Sequence, residues 1–311
     1  MAQELIFTKP IFHEKIWGGR RLDTVFGYDI PDGAIGECWA ISAHPAGDCV
    51  VEGGPYAGST LSQLWDEHHE LFGNARGDRF PLLIKILDAD GDLSIQVHPD
   101  TEHAKPLGFA AGKNEAWYFL EAAEGSELVY GHNATGEADL RNYIAEGRWA
   151  DLIDHLPIEK DDFVYLPAGL LHACCKNVIA YEIQQATDVT YRFYDYDRVQ
   201  ADGSLRELHL EQAIDCLSYD KSLMVNQAKP WTEDLGNMKR THLISNDSFT
   251  VEKIEVTGPC TLPGEEYKLV TVGRGSGTAN GEDIAVGDQI LLPKGEPLEL
   301  DGNVTLLTTT A

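Results

Sequence analysis

One short stretch of the sequence carries polar side chains in a pattern suited to binding a metal ion. Residues 93–100 read LSIQVHPD, and their alternation of apolar and polar residues is typical of a half-buried β-strand. Gln96 and His98 lie two residues apart, so a strand points both side chains to the same face. An amide oxygen and an imidazole on one face form a chelating pair. This face is therefore predicted to point into the protein.

Two further residues extend the set of candidate ligands. Glu115 opens the predicted strand of GKNEAWYFLEA, and His172 ends the turn of LPAGLLH. Two imidazoles, one carboxylate and one amide can bind a divalent ion and leave a position open for a substrate. Each residue alone is more often an ordinary surface or core residue, and amide ligands such as Gln96 are uncommon for zinc. Their joint position at strand ends indicates the metal site.

Charged residues near these ligands are candidates for substrate binding. Lys85 lies in the apolar run PLLIKIL, where an ammonium group needs a partner, and Lys113 lies two residues before Glu115. Arg192 lies in TYRFYDYDR, and a guanidinium suits a phosphate or a developing oxyanion. Glu182, in VIAYEIQQ, is a candidate general base, a partner of Arg192 or an ordinary outward-facing glutamate. The ordinary alternatives for the cations are an edge lysine that reaches solvent, a loop lysine, and an arginine stacked on its aromatic neighbours.

The composition excludes several classes of function. The 311 residues are 43% hydrophobic, which is typical of one large or two smaller globular domains. The formal net charge of −27, from 51 acidic against 24 basic residues, argues against a nucleic-acid binder. It also repels anions at long range, so a phosphorylated substrate needs a local cluster of cations.

The sequence also predicts the compartment. No apolar run approaches the roughly 20 residues that a membrane span needs. The first residues, MAQELIFTKP, lack the basic start and apolar stretch of a secretory signal. The six cysteines form no CxxC pair, which favours a reducing compartment. We therefore expect a cytoplasmic protein that binds neither membranes nor nucleic acids, as a monomer or weak homo-oligomer.

Most of the chain reads as short strands bounded by turn residues, which predicts a mostly-β fold of the sandwich or barrel type. Three stretches instead show helical spacing and predict helical insertions at about 59–75, 135–157 and 207–220. The polar stretch 225–245 lacks strand alternation and is predicted to hold a boundary between two units.

A weak internal repeat predicts two β-barrel-like units. DFVYLPAGLLH (162–172) aligns with DQILLPKGEPL (288–298), and both place a proline five residues after an aspartate and a glycine two residues later. The last aligned position is His172 in the first copy and Leu298 in the second. We therefore predict a first unit over residues 1–235 that carries the metal site, and a second over 240–311 without metal ligands.

These segments together resemble one known family. LSIQVHPD, preceded by PLLIKIL and followed by GKNEAWYFLEA, LPAGLLHA and YEIQQATDVTYRFYDYDR, is similar to type I mannose-6-phosphate isomerases of the short bacterial form. KIWGG (15–19) resembles the opening segment of that family, and the similarity runs in order over about residues 5–200. One departure is Cys174, where some members carry an aromatic residue. The chain also lacks the long insertions of the larger eukaryotic enzymes.

The resemblance implies a fold, a reaction and a set of site residues. The fold is two cupin units, which are jelly-roll β-barrels, and the second unit lacks metal ligands. The reaction interconverts mannose 6-phosphate and fructose 6-phosphate through a metal-stabilised cis-enediol, with one Zn²⁺ per chain. By resemblance, the metal ligands are Gln96, His98, Glu115 and His172, the catalytic residue is Arg192, and the substrate-binding residues are Ser94, Lys85, Lys113 and Glu182.

Three questions stay open at this stage. The general base is Glu182, a lysine or a hydroxide on the metal. His98, Glu115 and His172 also satisfy the two-histidine, one-carboxylate set of a mononuclear iron oxygenase. The third question is whether the protein is instead a non-catalytic sugar-binding cupin with an inert metal. Gln96 as a fourth ligand and the nearby lysines favour the isomerase over the oxygenase, because an oxygenase does not require phosphate-binding cations.

Overall fold

The computed structural model describes residues 5–109, 111–200 and 202–311. Residues 1–4 of the segment assessed for a secretory signal lie outside the described residues. Among the helices that the structure describes, none is long and apolar enough to cross a membrane.

Strands account for most of the regular structure, which confirms the predicted mostly-β class. In chain order, the strands are β1 Ile6–Lys9, β2 Ile11–Gly19, β3 Ile35–His44, β4 Gly47–Asp48, β5 Val50–Glu52, β6 Leu82–Ala89, β7 Ile95–Val97, β8 Glu115–Ala122, β9 Glu127–His132, β10 Ile153–Pro157, β11 Phe163–Leu166, β12 His172–Cys174, β13 Val178–Gln185, β14 Tyr191–Tyr194, β15 Trp231–Asp234, β16 Met238–Ser245, β17 Thr250–Val256, β18 Cys260–Leu262, β19 Lys268–Ala279, β20 Glu282–Ala285, β21 Gln289–Leu292 and β22 Leu298–Thr310. The helices are α1 Arg21–Phe26, α2 Leu61–Glu67, α3 Thr101–Ala104, α4 Glu137–Ala145, α5 Trp149–Leu152 and α6 Leu210–Cys216, with short 3₁₀ turns at His69–Phe72, Lys105–Leu107 and Lys221–Met224.

The strands form three sheets. The seven-stranded sheet has the order β11-β8-β13-β6-β2-β3-β4, and the five-stranded sheet has the order β10-β9-β12-β7-β14. The ten-stranded sheet follows the order β15-β16-β17-β22-β19-β21-β1-β5, with β18 and β20 paired to its long strands. The central pairings β6–β13 and β13–β8 are antiparallel. Because β1 pairs with β21 and β5 pairs with β1, the N-terminal segment completes the sheet of the C-terminal region.

The central strands of the seven-stranded sheet separate the main core from a second, more polar space. On β6, Leu82, Ile84 and Ile86 pack into the largest apolar cluster, where Phe249 and Leu307 also lie. The alternate residues Lys85, Leu87 and Ala89 point to the other side, because side chains alternate along a strand. All of β6 is buried, so the same strand serves both the core and the space that holds the charged residues.

The predicted helical insertions are present in shortened form. Thr60 caps α2 by accepting from the amide of Gln63, whose side chain in turn accepts from the amide of Thr60. The stretch 135–157 contains α4 and α5, but the prediction of helix is wrong for Ile153–Pro157. That segment is a strand, because it pairs with β9 at the edge of the five-stranded sheet. The third insertion contains α6.

The segment 225–245, where the boundary between the two units was predicted, contains regular structure. It contains β15 and β16, which form a hairpin with Leu235 donating to the carbonyl of Met238. All four residues of β15 are exposed, so the strand has no buried face and therefore no apolar alternation in its sequence. The boundary between residues 235 and 240 falls in the turn of this hairpin, and β15 belongs to the same sheet as the strands that follow it.

Candidate metal centre and substrate cavity

Three predicted ligands meet in the interior at the ends of strands. His98 follows β7, Glu115 begins β8 and His172 begins β12. One ligand atom from each lies within 4.8 Å of the others, and all three residues are buried. Glu115 Oε2 lies 3.4 Å from His98 Nε2 and 3.3 Å from His172 Nε2. The sheets therefore bring together residues that are up to 74 positions apart in the sequence, from His98 to His172.

Main-chain carbonyls fix both imidazole rings. His98 Nδ1 lies 2.9 Å from the carbonyl oxygen of Val189, and His172 Nδ1 lies 2.9 Å from that of Leu170. A carbonyl only accepts, so each Nδ1 carries the hydrogen and each Nε2 presents a lone pair toward Glu115. A hydrogen bond from the ring nitrogen that does not face the metal is the usual way in which a protein orients a metal-binding histidine.

The cluster fits a cation. His172 Nε2 and Glu115 Oε2 are buried, and neither has a hydrogen-bond partner among the described residues. Two imidazole lone pairs and a carboxylate that face one another repel unless a positive charge lies between them. Imidazole nitrogen and carboxylate oxygen are both ligands of divalent transition metals such as zinc. The donor set therefore suits a metal ion of that class.

Lys113 contacts the same cluster. Its Nζ lies 2.6 Å from Glu115 Oε1 and 3.4 Å from His98 Nε2, and its side chain is buried. Burial and the Lys113 charge lower the pKa of His98 to about 3. Burial raises the pKa of Glu115, but the nearby Lys113 charge outweighs it and holds that pKa well below its usual range. His98 is thus neutral and Glu115 ionised, which are the forms that bind a metal.

A cavity of about 300 Å³ adjoins the cluster, and Lys113 belongs to its wall. The other predicted site residues Ser94, Lys85, Glu182, Arg192 and Gln96 also line it. Gln96 lies next to His172 on β12 and to Arg192 on β14 in the five-stranded sheet. All nine predicted site residues therefore belong either to the cavity wall or to the metal-binding cluster.

Lys85 and Glu182 form a buried ion pair on one side of the cavity. Lys85 Nζ lies 3.0 Å from Glu182 Oε2, and Trp117 Nε1 donates to Glu182 Oε1 at 2.8 Å. Burial lowers the pKa of Lys85, but the carboxylates of Glu182 and Glu37 outweigh it and raise that pKa above its usual value. Both side chains are about 5% exposed, so the readings of an edge lysine and an outward-facing glutamate are wrong. Glu182 pairs with Lys85 and not with Arg192.

Arg192 reaches the cavity from β14. Its Nη1 donates to the carbonyl of Glu207 at 2.6 Å, while its Nε is buried without a partner among the described residues. Burial and the nearby guanidinium of Arg206 lower the pKa of Arg192. Its guanidinium therefore has hydrogen-bonding capacity left for a ligand.

Sequence reasoning missed several residues of the cavity wall. Lys15 and Glu37 form an ion pair with Nζ 3.1 Å from Oε1, and the Lys85 and Lys15 charges outweigh burial to lower the pKa of Glu37 to about 2. Arg206 also lines the cavity and donates from Nε to Asp195 Oδ2 at 2.7 Å. Lys15 lies within the quoted KIWGG segment, which was a usable signal. Arg206 follows a turn without periodicity, so no pattern indicated it.

The fold and the site define a class of protein: a mostly-β protein with a buried two-histidine, one-carboxylate cluster beside a cavity that several cationic side chains line. Residues 5–129 match the family model described as phosphomannose isomerase type I, catalytic domain. The chain is 43% identical to a mannose-6-phosphate isomerase of Streptococcus mutans over 98% of each chain. It is also 43% identical to the mannose-6-phosphate isomerase ManA of Bacillus subtilis over 95% of each chain.

A solved structure gives the same result. The crystal structure of a mannose 6-phosphate isomerase from Bacillus subtilis superposes with a TM-score of 0.95 at 40% identity, covering 99% of this chain and 100% of that chain. The chain therefore belongs to the type I mannose-6-phosphate isomerase family, and the family resemblance noted in its sequence is confirmed.

Proposed function

We propose that this chain is an enzyme that interconverts mannose 6-phosphate and fructose 6-phosphate in the 300 Å³ cavity. The proposal rests on one observation: the buried cluster of His98, Glu115 and His172 lies beside a cavity whose wall holds five cationic side chains. The wall's cations are Lys15, Lys85, Lys113, Arg192 and Arg206. The same wall holds three carboxylates, Glu37, Glu182 and Asp188, so its cations outnumber its anions in a chain of net charge −27, which supports a phosphorylated substrate. The names of the relatives supply the sugar.

The proposed metal is one Zn²⁺ per chain, held by His98, Glu115 and His172 with Gln96 as the fourth ligand. The first three residues offer the nitrogen and oxygen donors that zinc accepts, and Gln96 lies beside His172 in the sheet. When bound, the ion polarises the carbonyl of the sugar as a Lewis acid. The same three residues suit Fe(II), but the cations of the wall favour a sugar phosphate over the oxygenase alternative.

The chain's own residues bind and orient the sugar. Lys85 and Lys113 bind its hydroxyl or phosphate oxygens, with Ser94 beside them in the wall. Arg192, whose Nε is free of partners among the described residues, stabilises the negative charge that develops on the enediolate. Glu182 holds Lys85 in place and contacts the substrate. The proton transfer between C1 and C2 needs a base, for which Glu182 and a lysine are both candidates.

The two-unit architecture is also part of the proposal. We assign the first cupin unit to residues 1–235 and the second to 240–311, with β1 and β5 as strands that the first segment contributes to the second sheet. Leu298 lies in an apolar cluster, in agreement with a second unit that binds no metal. A cytoplasmic location and a monomer or weak homo-oligomer stay predictions from the sequence.

The test is a coupled assay that detects fructose 6-phosphate formed from mannose 6-phosphate, run on the protein as prepared, after chelation, and after zinc is restored. We expect turnover that chelation abolishes and zinc restores. Stoichiometric iron with oxygen-dependent turnover would overturn the isomerase proposal. A matched Arg192→Ala variant is assayed at equal metal content, and unchanged turnover there would remove Arg192 from the catalytic role.

A further inference from the structure

Asn114 lies between two residues of the site without taking part in it. Lys113 and Glu115 on either side contact each other at the metal-binding cluster. Because side chains alternate along the chain here, Asn114 points away from the cavity, and its amide contacts Ser248 in the loop between β16 and β17. The sequence motif KNE therefore holds one residue that the proposed chemistry does not use.

Every polar group of Asn114 has a partner. Its Oδ1 accepts from the amide of Ala168 at 2.9 Å, and its Nδ2 donates to Ser248 Oγ at 3.1 Å. Its main-chain amide donates to Gln185 Oε1 at 3.0 Å, and its carbonyl accepts from the amide of Gln185 at 3.2 Å. Four hydrogen bonds thus fix one residue against three separate segments of the chain.

The contact with Ala168 leads to the other two ligands of the cluster. Ala168 lies in the turn that precedes His172, and the next residue, Gly169, donates from its amide to the carbonyl of His98 at 2.8 Å. Asn114 itself precedes Glu115. The side-chain oxygen of Asn114 therefore connects the strand of Glu115 to the turn that is bonded to His98 and leads to His172.

We propose that Asn114 is a positioning residue that sets the spacing of the three metal ligands, and that Ser248 holds Asn114 in this role from the C-terminal region. The proposal rests on the proposed metal centre and gives the C-terminal strands a part in it. Loss of the Asn114 side chain frees the turn at Ala168 to move relative to Glu115. Groups that orient metal ligands typically change metal affinity 10- to 100-fold when removed.

The experiment measures zinc affinity of the full chain by competition with a chromophoric chelator, together with the thermal unfolding midpoint of the metal-free protein. The variants are Asn114→Ala, Ser248→Ala and a matched control, Asn226→Ala. Asn226 is also half-buried, and its Nδ2 donates to the carbonyl of Phe163 at 2.8 Å. Its Oδ1 accepts from the amides of Tyr165 at 3.1 Å and Ala228 at 3.2 Å, so its bonds reach β11 and its own loop but no turn that leads to a ligand. Asn226→Ala therefore removes similar hydrogen bonds at a strand without ligands.

We expect Asn114→Ala to weaken zinc binding at least about tenfold, Ser248→Ala about threefold, and Asn226→Ala less than twofold, while all three lower the unfolding midpoint. Equal zinc affinities in Asn114→Ala and Asn226→Ala would show a purely structural role and overturn the proposal. If Asn114→Ala does not fold, Ser248→Ala decides: wild-type zinc affinity there overturns it. The titration needs no sugar phosphate, so an inactive wild-type protein that still binds zinc contradicts the proposed function and leaves this inference standing.

Discussion

The two turns at 162–172 and 288–298 have nearly the same backbone but present different side chains. The first leads from β11 to β12 and ends on His172, which is buried against Glu115. The second leads from β21 to β22 and ends on Leu298, which is buried among apolar residues. Both positions are fully enclosed, so enclosure alone does not make a metal site. The difference lies in the residue and in what faces it.

The backbone match extends beyond the sequence repeat. The carbonyl of Asp162 accepts from Phe119 and that of Asp288 from Val272, at 3.0 and 2.9 Å. Each aspartate side chain also accepts from the amide three residues before it, at 2.8 Å in both copies.

Gly169 and Gly295 take left-handed backbone conformations, with φ of 84° and 91°. The same turn conformation therefore supports either a metal ligand or an apolar contact at its last residue.

Replacing His172 with leucine tests the comparison most severely, because it gives the first turn the terminal residue of the second. We expect zinc to be lost from the cluster and isomerase activity to fall at least about 10³-fold, because the Lewis acid lowers the activation barrier by several kcal/mol. Zinc content and the coupled assay measure both effects. A His172→Leu variant with wild-type turnover would remove His172 from the site.

Replacing Leu298 with alanine is the counterpart in the second turn. The side chain is fully buried, so we expect the free energy of unfolding to fall by about 3 kcal/mol through lost burial and a cavity. Denaturant titration measures this loss. Zinc affinity and turnover per folded molecule should stay unchanged, and a loss of zinc comparable to that of His172→Leu would contradict the division of roles.

The two turn glycines differ in their surroundings, and alanine at each sharpens that difference. Both positions have positive φ, so each variant costs about 1–2 kcal/mol of unfolding free energy. A Cβ at Gly169 would also lie 3.2 Å from the carbonyl oxygen of Cys216, whereas one at Gly295 meets no atom within 4 Å. We expect Gly169→Ala to be the less stable variant and the only one of the two to weaken zinc binding. Equal unfolding curves would contradict this.

The smallest expected effect concerns Asp288. Burial raises the pKa of its carboxyl above the usual 3.8, so the folded state disfavours the ionised form. The stability that this carboxyl contributes is fully present below pH 3.8 and is lost as the pH rises through the raised pKa. Asp288→Asn removes this dependence. We expect the unfolding free energy of the wild type, relative to the variant, to decline by less than about 1 kcal/mol over that range. A difference that does not vary with pH would contradict the expectation.

The site residues that the sequence singled out lie together in the structure, whereas the predicted bounds of the helical insertions were less accurate. Strand alternation was enough to place Gln96 and His98 on one face, because a period of two leaves little freedom once one face is buried. It was not enough for Ile153–Pro157, where Leu152, Ile153 and Leu156 continue a helical spacing and only the pairing with β9 decides. The local spacing of apolar residues does not show that β9 will pair with this segment.

The missed residues have a different cause. Arg206 and Asp195 meet in the structure by their side chains, but Arg206 follows a turn whose residues have no periodic pattern. Asn114 reads as an ordinary polar residue beside a ligand, and its role depends on Ala168 and Ser248, which lie 54 and 134 positions away. Contacts of such separation are properties of the folded chain, and one sequence does not reveal them.

The carbonyls that hold the two imidazoles have a consequence for how the site tolerates mutation. His98 and His172 are oriented by the main-chain oxygens of Val189 and Leu170, and every amino acid carries that oxygen. A substitution at either position changes a side chain but leaves the acceptor in place. The ring orientation at the cluster therefore depends on the path of the main chain at these two positions, and not on hydrogen bonds from their side chains.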